Sequence, residues 1–445
     1  MTIVLTGGTV VPSLHPPIVE PADVVLEGGR VAAVGVGVPR AADRRSCAGC
    51  LVVPGNVNGH THLYSALARG MPYQLEPPRT FIDILRRVWW RLDRALDHGT
   101  IRASALVAGM DALLAGTTTV VDHHASPNAA DGSLDIIADA LAELGLRSVL
   151  CYETSDRDGP RIARAGLAEN VRFLREGAGR RYPLARGLVG AHASFTLSAE
   201  TLDGCADAAR AAGVGLHIHL AEDGIDERDC LARFGVPVVD RLASSAALDA
   251  RGVLAHGVHL SPGEVEHVRA ASATVVHNPS SNMHNGVGRP RLGELGDAVA
   301  LGTDGLGPDL FAETRTAYLR RREEDVTIGP GWGVDRLVHS ARLAGTAFDE
   351  PLLGRIEPGA PADLLVLDVH PPTPLTADGL AGHWVLSLSS SMVRDVFVAG
   401  EPVVLDRRLV NADAERIAED ARHAAARLWS SLETVDVHPF TAMET

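Results

Sequence analysis

Lysine is absent from all 445 residues, so the 41 basic side chains are arginines. Chemistry that needs a Schiff-base or carbamylated lysine is thereby excluded. Cysteine is scarce: Cys47, Cys50, Cys151, Cys205 and Cys230 are odd in number and mostly scattered, which argues against a disulfide framework and for a reducing compartment. Cys47 and Cys50 form one C-x-x-C, but no second pair at zinc-finger spacing follows, and the LVVP beside them reads as an ordinary strand. No apolar run is long enough and free enough of charge to span a membrane. The start, MTIVLTGGTVVPS, has neither a basic n-region nor an unbroken apolar h-region, so no cleaved export signal is expected and the cytoplasm is the default location. A formal charge of −15 disfavours nucleic acid and anionic membrane as partners.

What is present is apolar content of 46%, enough for a sizeable core in a chain of this length. The first fifty or so residues alternate short β-rich runs (IVLTGGTVV, ADVVLEGG, RVAAVGVG) with glycine turns, and the same texture returns in ADLLVLD and VRDVFVAGEPVVLDRRLV. The two ends of the chain are therefore expected to build one β-sandwich from residues 1–53 and 352–411. Between them, residues 54–351 repeat a short apolar run, a punctuation and a segment of helical period. Strands are expected over Asn58 to His62, Thr118 to His123, Arg147 to Tyr152, Gly187 to His192, Val214 to His219, Val253 to His256, Ala273 to His277 and Val299 to Asp304. Eight βα units in about 300 residues imply an α/β fold, a (β/α)8 TIM-type barrel.

Several helices carry signals of their own. Thr80 is expected to open a helix with Leu85, Val88, Trp89, Leu92 and Leu96 on its buried face, which makes Trp89 a core residue and leaves Trp90 open. Thr100 is expected to cap the next helix, ending at Gly116. Ile417, Ala421, Ala424, Leu428 and Leu432 form the stripe of an amphipathic helix within residues 412–445, for docking or a subunit contact.

His60 and His62 are two residues apart at a strand end, so both imidazoles face one side, toward the barrel axis, and neutral imidazoles are good ligands for zinc or iron. His219 ends the fifth expected strand, and Glu222 follows where the chain turns, placed to shuttle a proton. His217 shares the inward face one layer deeper and reads as a core histidine. His256 and Asp304 end the sixth and eighth strands, each before a glycine, where barrel enzymes build their sites. Around them, His192, His124, Gln74, Ser280 and Asn282 are candidate substrate contacts, with Tyr73 and Glu76 in the same first loop as Gln74. Bracing a loop (His124), satisfying turn amides (Ser280, Asn282) or solvation (Glu76) are the competing roles.

The runs PGNVNGHTH, GTTTVVDHHASP, LCYETSDRDG, HASFTLSAETL, HIHLAED, VVHNPSSNM, LGTDG and GRIEPGAPADLLVLD, in order over nearly the whole chain, resemble the amidohydrolase superfamily. Within it they resemble the branch of atrazine/triazine hydrolases, guanine deaminases and related aminohydrolases, and the aminohydrolase group associated with selenium metabolism. The resemblance implies one divalent metal, zinc or else iron(II), on His60, His62, His219 and Asp304, with Glu222 as proton shuttle. It implies that His256 orients or deprotonates the attacking water and that His256 and Asp304 take or hold its proton, that His192 contacts a small-molecule substrate, and that the protein is a homo-oligomer, typically a dimer. The missing lysine excludes the binuclear sites bridged by a carbamylated lysine. A glutamate bridge through Glu153 is the remaining binuclear option, against a loop or helix-capping role for that residue. After the NPxSN motif, Met283 and His284 stand where related deaminases often carry lysine. The implied reaction is hydrolytic loss of ammonia from an amino-substituted C=N carbon of a small N-heterocycle or a guanidine- or amidine-like compound. The alternatives are dechlorination, dealkylamination or ring-amide opening at the same metal, and a non-catalytic metal- or ligand-binding accessory role.

Overall fold

The computed structural model describes residues 2–36 and 43–442. Residues 1, 37–42 and 443–445, which include the end of the expected run RVAAVGVG and of the C-terminal tail, lie outside the described residues. Both ends of the chain meet in one nine-stranded sheet: Thr2–Leu14, Pro17–Glu27, Arg30–Gly35, Asp43–Ser46 and Cys50–Pro54 from the first end, Leu364–Asp368, Val393–Val398, Glu401–Leu405 and Arg408–Leu409 from the second. The seam is Cys50–Pro54 antiparallel to Leu364–Asp368, with Val53 opposite Leu365 and Leu51 opposite Leu367. The two-residue side-chain period sorts this seam into two faces. Val52, Leu364 and Val366 pack on Leu5, Val10, Val24 and Leu26, while Leu51, Val53, Leu365 and Leu367 join the larger core under the helix His98–Leu114.

The middle of the chain alternates strands and helices of the TIM-barrel type. Asn56–Thr61, Thr117–His124, Arg147–Tyr152 and Ala185–Gly187 make one all-parallel sheet, and Val189–Ala193, Leu216–Leu220, Val253–His256, Thr274–His277 and Val299–Leu301 make another. The fourth expected strand is thus broken at Leu188, with one half in each sheet. Parallel bridges Thr154↔Ala191 and Thr61↔Asp304 link the sheets on both flanks. Helices such as Ser133–Leu144, Ala199–Ala212 and Gly331–Phe348 bury one face against the strands. A short helix, Leu380–Leu386, stacks Trp384 on Phe311 and carries no signal in the sequence. None of the described helices is long and apolar enough to cross a membrane.

Two local expectations are corrected. The helix His98–Leu114 is capped by Asp97, whose carboxylate accepts the Thr100 N–H at 2.7 Å, while Thr100 Oγ1 accepts the Asp97 N–H at 2.9 Å. Thr100 is therefore the third residue of a capping box and not the cap. Thr80 does cap its helix, accepting from Asp83 N–H. That helix then widens into a π turn, Leu85–Trp89, with Trp90 N–H donating to Leu85 O. The wider turn shifts the phase of everything after it, so Leu85, Trp90, Leu92 and Leu96 are buried, whereas Val88 and Trp89 are only half-buried. The last helix, Ala414–Leu432, buries the expected stripe of Ile417, Ala421, Ala424, Leu428 and Leu432 within the chain's own core, and Trp429 Nε1–H donates to Leu67 O.

One buried ion pair ties the end-built sheet to the strand–helix layer. The Arg147 guanidinium donates to both Asp363 oxygens, at 2.7 and 3.0 Å, and Asp363 Oδ1 also accepts the Ala399 N–H. Asp363→Ala leaves the guanidinium without its partner and is expected to cost about 3–5 kcal/mol, read as a lower midpoint in urea unfolding; Asp363→Asn, which keeps an acceptor, is expected to cost less.

Candidate active site

The first parallel strand, Asn56–Thr61, is buried along its whole length, and its end is stitched to the last strand. Asn58 Nδ2–H donates to Thr303 Oγ1 at 2.7 Å, Thr303 N–H donates back to Asn58 Oδ1 at 3.1 Å, and both Thr303 and Asp304 N–H donate to His60 O. Backbone contact here is so close that a Cβ at Gly302 would sit 2.5 Å from Asn278 Oδ1 and 2.8 Å from His60 N and O. Only glycine fits. The stitching sets Asp304 Oδ1 at 3.3 Å from His60 Nε2 and 3.0 Å from His62 Nε2. Asp304 and His256 both have left-handed backbone, φ +54° and +76°, so the strand ends are strained where their side chains turn inward.

Each histidine at this point has its other ring nitrogen engaged. His62 Nδ1–H donates to His123 O at 2.5 Å, and His219 Nδ1–H to His192 O at 2.9 Å; a carbonyl only accepts, so each Nδ1 holds its proton and each Nε2 is the atom left to ligate a cation. His256 Nδ1–H donates to Asn282 Oδ1 at 2.8 Å, and its Nε2 is buried without a partner. His60 Nδ1 lies 2.8 Å from His217 Nε2, and His60 Nε2 makes no hydrogen bond and faces Asp304 Oδ1. The Nε2 atoms of His62 and His219 face each other at 3.1 Å. Two lone pairs at that distance beside a carboxylate fit a cation between them, and donor atoms of His60, His219, His256 and Asp304 all lie within 4.8 Å of one another. A second cluster, His62, His123, Glu153 and His219, and a third, His123, Cys151 and His217, meet the same distance test.

Electrostatics agree with this division of roles. Burial pulls His60 down to about 3 and His219 well below the ordinary histidine value, so both rings are neutral. Burial opposes ionisation of Asp304 as well, but the His60 and His62 imidazoles beside it hold its carboxyl well below the usual range. For His62, burial is outweighed by Asp304, which carries it up to about 9 where no cation competes. Ser281 Oγ–H donates to Asp304 Oδ2. Glu222 Oε2 stands 3.6 Å from His256 Nε2, and Asn285 Nδ2–H donates to Glu222 Oε1 at 3.3 Å. Burial raises the Glu222 carboxyl to about 7.

Above the centre is a cavity whose polar side is His62, His192, His219, Glu222, Asn285 and Asp304 and whose other side is Tyr64, Phe81, Leu85, Trp89 and Trp90. His192 lines it with Nδ1 on Thr196 Oγ1 at 2.7 Å. The other candidate contacts do not. Gln74, Tyr73 and Glu76 are exposed on the first loop. His124 Nε2 bonds Ser126 Oγ, bracing its loop, and Ser280 Oγ–H donates to Glu313. Asn282 acts through His256 and does not reach the cavity.

Glu153 follows the strand Arg147–Tyr152, as expected, but does more than shape a loop: it lines the cavity, takes Arg157 Nη1–H at 2.6 Å and stands 3.3 Å from His123 Nδ1. Against the pull of burial, His192, Arg157 and His123 keep it ionised. Trp89, expected in the core, lines the cavity because of the π turn. Residues 435–442, after the last helix, fold back behind Trp90. Arg86 and Arg91 donate to the carbonyls of His438 and Val435, and the rings of His438 and Phe440 stand edge-on to Trp90 at 5.1 and 5.4 Å. Only the adjacent tryptophans carried a signal for this wall. All five cysteines are free and buried, and Cys47 and Cys50 sit against Arg394.

Known proteins share this architecture. The Amidohydrolase family profile matches residues 51–403. A 5'-deoxyadenosine deaminase of Methanopyrus kandleri is 32% identical over 388 residues, 86% of this chain and 87% of the relative. A 5-methylthioadenosine/S-adenosylhomocysteine deaminase of Moorella thermoacetica is 31% identical over 434 residues, 93% and 97%. Among solved structures, an adenosine deaminase from Xanthomonas campestris with bound zinc superposes with a TM-score of 0.80 at 22% identity, covering 96% of this chain and 98% of that one. An atrazine chlorohydrolase from Arthrobacter aurescens complexed with zinc gives 0.81 at 23% identity, covering 95% and 100%. With its histidine–aspartate cluster and this likeness across most of its length, the chain belongs to the amidohydrolase family, metal-dependent hydrolases acting on C–N bonds.

Proposed function

We propose that the chain is a mononuclear aminohydrolase that replaces the amino group on a C=N carbon of a small N-heterocycle with oxygen, releasing ammonia. The observation that carries this is the convergence of His60, His62 and His219 Nε2 and the Asp304 carboxylate beside a buried, protonatable Glu222. Nitrogen and oxygen donors of this kind suit zinc, with iron(II) as the alternative. A divalent metal there supplies Lewis acidity and, from water, a nucleophile at neutral pH.

The chain's own groups do the rest. His256, its Nδ1–H committed to Asn282, offers Nε2 to receive the proton that water gives up. Glu222 donates its proton to the ring nitrogen next to the carbon under attack, making that carbon electrophilic, and regains one for transfer to the departing amine. Water adds one oxygen and the amine leaves as ammonia, so the balance closes. His192 and the ionised Glu153 present polar groups to the substrate, and Trp89, Trp90, Phe81 and Leu85 offer a flat apolar wall to a planar ring. The relatives' named substrates put adenosine-type aminopurine nucleosides first in the panel to test.

The links between the two parallel sheets support a closed eight-stranded barrel over residues 54–351. The nine-stranded sheet supports a β-sandwich of residues 1–53 and 352–411, with residues 412–445 as helix and tail. The free, buried cysteines support a cytoplasmic location, and a homodimer follows from the resemblance.

Zinc-loaded protein is expected to release ammonia from an aminopurine nucleoside, with a product about one dalton heavier than the substrate; no ammonia from a broad aminopurine, pterin, triazine and guanidine panel contradicts the reading. Glu222→Gln is expected to lower kcat by about 10²–10⁴ while metal content stays that of the parent protein. Gly302→Ala, whose Cβ collides with His60 and Asn278, is expected to destabilise by about 1–3 kcal/mol and to lower the zinc retained after dialysis, measured by atomic emission.

A further inference from the structure

The motif HIHLAED contributes one histidine, His217, that the proposed reaction does not use. It is fully buried beneath the cluster, its ring 5.0 Å from that of His60. Two of the neighbouring rings are oriented by backbone: His62 and His219 give their Nδ1–H to carbonyl oxygens. For His60 the partner is the side chain of His217, Nδ1 to Nε2 at 2.8 Å, and either nitrogen could hold the proton.

The far end of the chain of contacts decides which. Cys151 Sγ is 3.5 Å from Asp122 O and 3.5 Å from His217 Nδ1. A carbonyl only accepts, so the Cys151 S–H is directed at Asp122 O. The sulfur can then only accept from His217, which places a proton on His217 Nδ1 and a lone pair on His217 Nε2. His60 must therefore donate its Nδ1–H, and its Nε2 is left as a lone pair toward Asp304. In the opposite polarity His60 Nε2 carries a hydrogen and cannot ligate a cation. Burial keeps the Cys151 thiol protonated, in agreement with the first step.

We infer that His217, backed by Cys151, is a positioning residue for the metal centre: it fixes the tautomer and ring orientation of His60 through a relay of neutral donors ending on Asp122 O. The inference rests on the metal-centre reading given under the proposed function. It assigns a task to a histidine that looks like core packing, and it separates His60 from the ligands oriented directly by backbone. The relay carries no formal charge, so His60 is oriented without a second buried carboxylate beside Asp304.

Zinc affinity of metal-free protein tests it, measured by competition with a chromophoric chelator and without any substrate. His217→Leu removes the acceptor and is expected to weaken zinc binding by about 10–100-fold. His217→Gln, whose amide oxygen can accept from His60 Nδ1–H, is expected to stay within a few-fold of the parent protein. Cys151→Ala is expected to cause a smaller loss that Cys151→Ser restores, which keeps the test open if the leucine variant does not fold. Parental affinity in His217→Leu, equal losses in the leucine and glutamine variants, or no loss in Cys151→Ala overturns the inference. A second zinc equivalent that disappears with Cys151→Ala also overturns it, because it assigns His123, Cys151 and His217 to a metal of their own. If the parent protein binds no zinc, the metal-centre reading fails first and takes the inference with it.

Discussion

Four imidazoles are buried at the top of the parallel strands because each has a partner for one nitrogen, and those partners aim the remaining nitrogens at one carboxylate. The carbonyls of His123 and His192, the amide oxygen of Asn282 and the Nε2 of His217 are those partners. Without them, desolvating four rings would carry a penalty with nothing to offset it. With them, the Nε2 atoms of the rings are aimed at Asp304, and burial keeps His60 and His219 neutral. Donor positions set this tightly by the protein are what an octahedral or tetrahedral ion needs to be held without rearrangement.

The fold serves that constraint from both ends. Strand ends carry the histidines, and the stitching of Asn58 to Thr303 joins the first parallel strand to the last so that Asp304 faces His60 and His62. The positive φ of His256 and Asp304 is tolerated because neighbouring strands fix the backbone on both sides. Behind the cavity, Arg157 binds Glu153 and Asp93 while lying over Trp90, and the chain's final segment closes the outer face of the same tryptophan. The apolar wall and the charged wall of the cavity are thus braced by one network.

The histidine–aspartate cluster was legible because period-two spacing at a strand end is local: His60 and His62 share a face by geometry alone, and His219 and Asp304 each stand at or just past the end of an apolar run. The parallel strands were legible from apolar runs, although the break at Leu188 was not, since it depends on which sheet each half pairs with. Trp89 was placed in the core by a period of 3.6, and a single π turn with no sequence mark moved it to the cavity. Glu153 was read as a loop residue because its partners, Arg157, His123 and His192, come from three different elements. The return of residues 435–442 to Trp90 and the pairing of His217 with His60 are long-range contacts of the same kind. The roles of polar loop residues such as Gln74, Ser280 and His124 were the least legible, because polarity in a loop does not distinguish facing a ligand from bonding a neighbour.

Zinc-edge X-ray absorption on the loaded protein separates a metal held by histidine nitrogens and the Asp304 carboxylate from one held by the sulfur of Cys151 beneath them. Only nitrogen and oxygen neighbours are expected, at about 2.0–2.2 Å, with the multiple-scattering signature of imidazole. A sulfur neighbour at about 2.3 Å would contradict this expectation by placing the metal on Cys151.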